Sequence, residues 1–312
     1  MDKLYRVGQS PHIRTKETIE SVMYDVVIAL LPTLFVSIYF FGMKALYMTL
    51  VAVVSAMLAE YVSLKMMKRE VTIFDGSAII TGMLFAFISP VTLPYPYVII
   101  GSAVSIIIGK MVFGGLGHNV FNPALLGRVF LMASWPALMT RYINVDGTAG
   151  ATTLDYLKKG KDLIEVFGNN IYLDMFIGKM AGSMGETSAL ALLIGGLYLI
   201  YKKHIDWKMP ATIISAVFIL ALIFGQNPFY HILSGGLFIG AFFMATDMVT
   251  TPYTTSGKII FGLGVACITM LIRLKGSYPE GVAFSILIMN GVTSLINKYT
   301  KPKKFGEVKS NE

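Results

Sequence analysis

Long apolar runs separated by short polar turns make up most of the chain from residue 23 onward. An α-helix needs about 17–25 predominantly apolar residues to cross a bilayer. On that rule the pattern predicts ten helices, over residues 23–43, 46–64, 76–90, 97–113, 120–138, 188–201, 209–225, 231–249, 258–273 and 280–297. The third and sixth are short. Gly82 and Pro90 interrupt the third, and Gly235, Gly236 and Gly240 loosen the eighth. Interrupted helices persist at membrane depth only where protein or a cavity covers the freed backbone groups. The polar stretch 139–187 lies between two five-span halves. The expected organisation is therefore a polar N-terminal segment 1–22, a first repeat 23–138, the 139–187 loop, a second repeat 188–298 and a tail 299–312.

The halves resemble each other. Thr81-Gly82-Met83-Leu84-Phe85-Ala86 and the following Val91-Thr92-Leu93-Pro94 align at one constant offset with Ile239-Gly240-Ala241-Phe242-Phe243-Met244 and Val249-Thr250-Thr251-Pro252. An odd number of spans per half turns the second half over relative to the first. Inverted repeats with broken helices place a site between the halves.

Composition agrees with the pattern. Of 312 residues, 55% are apolar and only 14% charged, against about 25% charged in soluble domains. The fold class expected is an all-α polytopic membrane protein. The first span follows Lys3, Arg6, Arg14 and Lys16 and is of full length, so it is expected to be a span and not a cleavable signal. The net charge of +8 gathers in loops on one side, at Lys65, Lys68 and Arg69, at Lys202, Lys203 and Lys208, and at Lys298, Lys301, Lys303 and Lys304. Loops 91–96 and 226–230 carry no Lys or Arg. The positive-inside rule then sets both termini in the cytoplasm and the 139–187 loop outside. The charge is thus a topology signal and implies no nucleic-acid partner. Arg273 and Lys275 fall on the outer side against the rule. The single Cys267 excludes a disulfide or a cysteine-ligated cluster within this chain, and the four histidines have no metal-ligand spacing.

Four places carry candidate chemistry. Asp146-Gly147-Thr148-Ala149-Gly150-Ala151-Thr152-Thr153 opens the long loop with hydroxyls flanked by small residues, where Gly150 and Ala151 leave Thr152 sterically open. An ordinary Gly/Thr/Asp loop has the same composition. Asn119 and Asn122 begin the fifth span, where side-chain amides and free N–H groups can bind a polar ligand; the alternative is capping by Asn119 with Pro123 in the first turn. Arg128 lies deeper on that span and requires a carboxylate, a phosphate or a wet cavity. Gly182–Ser188, with Ser183 and Glu186, begins the sixth span and is either an anion cradle or a cap. Asp75, Asp247 and Glu280 are carboxylates near membrane depth, and Asp247, among Thr246 and Thr250, suits a cation or a ribityl chain.

The segment Asp146 to Thr152 resembles the flavinylation motif Asp-x-x-(Ser/Thr)-Gly-Ala-Thr, whose last Thr forms a phosphoester with FMN. The chain as a whole resembles the RnfD subunits of Rnf ferredoxin:NAD⁺ oxidoreductases and, more distantly, NqrB of the sodium-pumping NADH:quinone oxidoreductases. The likeness runs through Ser10-Pro11-His12-Ile13, Gly117-His118-Asn119-Val120-Phe121-Asn122-Pro123-Ala124-Leu125-Leu126-Gly127-Arg128 and Gly182-Ser183-Met184-Gly185-Glu186-Thr187-Ser188. It continues in Met244-Ala245-Thr246-Asp247-Met248-Val249-Thr250 and Tyr278-Pro279-Glu280-Gly281. Ala149 departs from the motif, and Thr153 is a second hydroxyl beside Thr152. The resemblance implies a urea-transporter-like fold of two inverted five-helix repeats in the inner membrane. It also implies covalent FMN on Thr152, with Asp146 in the recognition motif, and non-covalent riboflavin near Asn119 and Asn122. The implied partners are an outer-side FMN-bearing subunit, a cytoplasmic NAD-reducing subunit and other Rnf subunits, with a flavin transferase for maturation and the lipid bilayer around it. Electron transfer would be coupled to Na⁺ or H⁺ movement. From another functional class, a small-solute channel or secondary transporter has the same inverted architecture.

Overall fold

The computed structural model describes residues 17–144, 147–148, 150–161, 163–186, 188–278 and 280–302. Asp146, Ala149, Thr187, Pro279 and the Ser10–Ile13 motif lie outside the described residues. The first half is built from α1 (Ile19–Phe41), α2 (Met43–Met66), α3 (Ser77–Phe87), α4 (Tyr95–Ile106) with a π turn over Ile107–Met111, and α5 (Pro123–Ser134). Short helices α6 (Pro136–Met139), α7 (Thr153–Lys158), α8 (Leu163–Phe167) and α9 (Ile171–Ile177) occupy the connecting loop. The second half comprises α10 (Ala189–Tyr201), α11 (Lys208–Ile223), α12 (Pro228–Leu233) and α13 (Leu237–Ile239), which runs into a π turn over Gly240–Met244. It ends with α14 (Thr255–Lys275) and α15 (Val282–Thr300). The described residues contain no extended strand.

Among the described residues α1, α2 and α14 are long and apolar enough to cross a membrane, and α3, α4, α5, α10 and α11 are shorter apolar helices. The burial pattern is that of a lipid-facing protein. Phe35, Tyr39, Leu58 and Ile223 point outward, while Thr33, Ser37, Thr49, Ser102 and Ser105 are buried between helices. Exposed large apolar faces on this scale need a partner or a membrane. Ser37, Thr49 and Ser105 return their hydroxyls to carbonyls one turn back at 2.7–2.9 Å, whereas the Thr33 and Ser102 hydroxyls have no hydrogen-bond partner among the described residues. Small residues of this kind let helix backbones approach closely. Within the halves α2 packs on α3 and α4, α4 on α5, α11 on α14 and α14 on α15. Across them α1 packs on α10 and α5 on α15.

The structure moves several boundaries. The span expected over 120–138 starts at Pro123 and ends at Ser134, because Trp135 leaves helical geometry ahead of Pro136. The cap expected at Asn119 belongs to Asn122, whose Oδ1 accepts from the Leu125 N–H at 3.3 Å. Proline prefers the first helical position, which puts the cap at the residue before it. The span expected over 231–249 is broken outright between α12 and α13. Gly235 and Gly236 sit there at φ +65° and +66°, a conformation strained for other residues.

Candidate functional site

The loop that begins at Tyr142 folds back on itself. Gly150 N–H donates to the Tyr142 carbonyl at 3.2 Å and Asn144 N–H to the Thr148 carbonyl at 2.9 Å. A Cβ on Gly150 would stand 2.4 Å from Asn144 Oδ1, so a larger residue there would require the Asn144 side chain to move. Ala151 then leads, half-buried, into Thr152. Thr152 caps α7 in a reciprocal arrangement: its Oγ1 accepts from the Asp155 N–H at 3.3 Å, while Asp155 Oδ2 accepts from the Thr152 N–H at 3.0 Å. The Thr152 hydroxyl also donates to Asp155 Oδ2 at 2.8 Å. Thr153 turns the other way and donates to Ser234 Oγ at 2.8 Å. Both threonines line a cavity of about 350 Å³ with Glu186, Ser234 and Glu280. Asp155 and Glu280 line a neighbouring one of about 420 Å³, walled by Tyr142, Tyr278 and Phe284.

Two buried arginines frame this end. Arg128 donates to the Ile88 carbonyl and to Glu186 Oε1, the latter at 3.0 Å, and pairs with Glu280 Oε2. Tyr142 OH donates to the other Glu280 oxygen at 3.0 Å. The partner that Arg128 requires is therefore two carboxylates, and Glu186 neither caps α10 nor stands free. Ser188 caps α10, accepting from the Ala191 N–H at 3.2 Å. Ser183 is fully buried and lines neither cavity. Arg273 resolves the exception to the positive-inside rule. It is buried in α14 and donates to the carbonyls of His231, Ser234 and Gly235 at 2.6, 3.0 and 3.3 Å, the groups freed by the break between α12 and α13. An arginine so placed satisfies a broken helix and carries no topological information.

A larger cavity opens at the opposite end of α10. It is open at its mouth and is lined by residues from both halves of the chain. Ile80, Leu84, Leu116, Phe242 and Phe243 give it apolar walls; Asn119, Asn122, Thr246, Asp247, Lys110 and His204 give it a polar rim. Asn122 ties the halves together, since its N–H donates to Asn290 Oδ1 at 3.2 Å and its Nδ2 to the Met244 carbonyl at 3.5 Å. Asp247 accepts from the Val249 N–H and the Thr250 hydroxyl at 3.4 and 3.2 Å.

Lys110, in the π turn after α4, donates to Glu60 Oε1 and to Ser77 Oγ, both at 2.6 Å, and the Ser77 hydroxyl donates to Asp75 Oδ1 at 2.6 Å. Asp75 also accepts from the Ser77 N–H at 2.9 Å, so it serves the start of α3 and does not line the cavity. On the other wall His204 Nε2 lies 2.7 Å from Asp25 Oδ2.

The structure thus gathers Asn119, Asn122 and Asp247 at one end, and Thr152, Arg128, Glu186 and Glu280 at the other. Sequence reasoning missed Asp155, Tyr142, Glu60, Lys110, Asp25 and His204. Only Asp155 left a local signal, the Thr-x-x-Asp capping spacing.

The family model described as NQR2, RnfD, RnfE matches residues 6–306. The chain is 46% identical to the D subunit of the proton-translocating ferredoxin:NAD(+) oxidoreductase complex of Clostridium ljungdahlii, over 97% of this chain and 96% of that one. It is 47% identical to the D subunit of the Na(+)-translocating ferredoxin:NAD(+) oxidoreductase complex of Acetobacterium woodii, with the same coverage. With the D subunit of the ion-translocating oxidoreductase complex of Stutzerimonas stutzeri the identity is 35%, over 93% of each chain.

Proposed function

This chain belongs to the NQR2, RnfD, RnfE family, and from that premise we propose that it is a membrane electron-transfer subunit of an ion-translocating ferredoxin:NAD⁺ oxidoreductase complex. The observation that carries the reading is the pair of cavities at opposite ends of α10, one lined by Thr152 and the other by Asn119 and Asn122. Relatives at up to 47% identity are named as subunits of such complexes. None of the three bears a solute carrier's name, so the channel or transporter alternative is not favoured.

In the proposal Thr152 carries FMN as a phosphoester. The hydroxyl opens on a cavity, and the adjoining void between Tyr142, Tyr278 and Phe284 has the apolar, aromatic character of a ring site. The nearest lining cation, Arg128, is already paired with two carboxylates, so the ester phosphate faces water and not a cation clamp. Riboflavin occupies the larger cavity, whose flat apolar walls and amide-bearing rim suit an isoalloxazine ring. Bound flavins supply the one-electron chemistry. The chain fixes their separation, excludes water with its apolar walls and offers hydrogen bonds at their edges. The helix pairs α2–α4 with α4–α5 and α11–α14 with α14–α15 support two inverted repeats of five spans each, with α12 and α13 as one broken span.

The Thr152 end faces outside and both termini face the cytoplasm of a multi-pass inner-membrane protein. An outer FMN-bearing subunit supplies electrons and a cytoplasmic NAD-reducing subunit receives them, with transfer coupled to Na⁺ or H⁺ movement. Ferredoxin and NAD bind other chains.

The test is a denaturing gel under ultraviolet light, run on chain produced with its flavin transferase. A fluorescent band that disappears in Thr152→Val supports the reading, and a dark wild-type band overturns it.

A further inference from the structure

The cavity that Asn119 and Asn122 line adjoins a second void. The inner cavity and an outer one of about 660 Å³ share His204, Ile205, Thr246 and Met248. Of these four only His204 carries an imidazole, the side chain used most often for proton transfer. Its ring is 6% exposed and its Nε2 is committed to Asp25 Oδ2 at 2.7 Å. Asp25 is itself immobilised, because the Tyr198 hydroxyl donates to its Oδ1 at 2.7 Å and Lys202 Nζ lies 3.6 Å from its Oδ2. A carboxylate fixed in this way holds an imidazole in one tautomer and one orientation, leaving the other ring nitrogen to exchange.

We infer that His204 is the proton-transfer residue between bulk water and the cavity that Asn119 and Asn122 line, with Asp25 as its positioning residue. The inference rests on the reading that this cavity holds a non-covalent flavin as a redox group. An electron entering an apolar-walled cavity leaves negative charge there, which a proton neutralises. His204, charged with protons on both nitrogens, releases the Nδ1 proton to the acceptor in the cavity. It is left neutral, with Nε2–H still donated to Asp25. Water in the outer cavity then returns a proton to Nδ1. One proton enters for each electron charge neutralised, and Asp25 stays ionised throughout.

The charged and titratable groups around the ring come from every neighbouring element. They are Asp25 on α1, Tyr198 and Lys202 at the end of α10, Asp206 with Lys258 of α14 along the outer void, and Asp247 with Lys110 on the inner cavity. Lys110 is bound to Glu60, and Lys258 stands 3.1 Å from Asp206. Each of these ammoniums thus has a carboxylate beside it, and among the residues that line both voids His204 is the proton-exchanging side chain.

The experiment uses the full chain carrying Thr152→Val in lipid nanodiscs, so that the non-covalent flavin is the chromophore. The flavin is extracted with acid and quantified, and the rate of its bleaching by dithionite is followed in H₂O and D₂O from about pH 6 to 8. His204→Gln is expected to retain its flavin, to bleach about a hundredfold more slowly, to lose the solvent isotope effect, and to be accelerated by added imidazole. Asp25→Asn is expected to retain flavin and to shift the pH profile of the bleaching rate. Bleaching of His204→Gln at the parent rate with the parent isotope effect overturns the inference. Loss of flavin from His204→Gln with unchanged thermal stability also overturns it, by making His204 a ligand contact. A parent protein that yields no extractable flavin overturns the underlying reading instead.

Discussion

Arg128 on α5 pairs with Glu280, the residue that leads into α15, although 152 positions separate them in sequence. With Glu186 on its other nitrogen, one guanidinium draws together α5 and the segments that begin α10 and α15. Removing it leaves two carboxylates buried without their partner, a change that costs about 3–5 kcal/mol. Arg128→Ala is expected to lower the thermal unfolding midpoint in detergent by roughly 10 °C. Arg128→Lys keeps the charge but not the planar fork and is expected to fall between that variant and wild type. An Ala variant that melts with wild type shows that the cluster does not hold these segments.

Lys110 and Glu60 are both nearly inaccessible, and Glu60 Oε2 has no hydrogen-bond partner. Lys110→Met alone leaves that carboxylate uncompensated and is expected to destabilise by about 3–5 kcal/mol. The double variant Glu60→Leu with Lys110→Met is expected to recover most of the loss. A thermal-melt cycle of the two single variants and the double measures the coupling, and additive losses show that the pair is not coupled.

Thr152 and Thr153 are adjacent but differently engaged. Thr153→Val breaks the bond to Ser234 and is expected to cost about 1 kcal/mol while leaving the fluorescent band intact. Thr152→Ser is expected to keep some of the band. Mass spectrometry of the loop peptide separates the two sites, and flavin mass on Thr153 reverses the assignment.

Asn119 and Asn122 predict different phenotypes. Asn122→Ala removes a helix cap and the bonds to Asn290 and Met244, so stability falls by about 1–2 kcal/mol and extracted riboflavin falls with it. Asn119 caps nothing. Asn119→Ala is expected to lower extracted riboflavin with a smaller change in melting. Equal losses of stability in the two variants contradict that separation.

Asp206 bears on how the His204 experiment is read. Burial pushes its carboxyl upward, yet the Lys208 N–H and the Lys258 ammonium together hold it below its ordinary value. A carboxylate lowered on folding contributes stability that is complete above the unfolded value of about 3.9 and is lost as the pH falls through the folded one. The Asp206–Lys258 tether is therefore expected to be constant between about pH 6 and 8. Asp206→Asn should leave the bleaching profile over that range unchanged in shape, and a change in shape assigns part of it to Asp206.

The helices were legible wherever an apolar run ended at a glycine or a proline, because length and backbone chemistry are local. The break at Gly235 and Gly236 was foreseeable for that reason. The cap at Asn122 was equally local, and Pro123 already marked it. The clusters were not legible. Arg128 meets Glu186 and Glu280, and Asp25 meets His204, only after helices far apart in sequence have packed. No spacing rule reaches across such distances. Arg273 stood out against the charge pattern for the same reason, since its three carbonyl partners appear only once the second half has folded.

The helix between the two sites also has an electrical meaning. The 13 residues of α10 span about 20 Å at 1.5 Å each, roughly two-thirds of a 30 Å hydrocarbon layer. A charge carried from one end to the other crosses that share of the membrane voltage, about 1.5 kcal/mol for every 100 mV. The rate of the chain's internal step would then depend on the membrane voltage and respond to the gradient that the complex helps to build. On the proposed reading α10 would be the insulating gap of a capacitor, and its length would set how strongly the membrane opposes each electron.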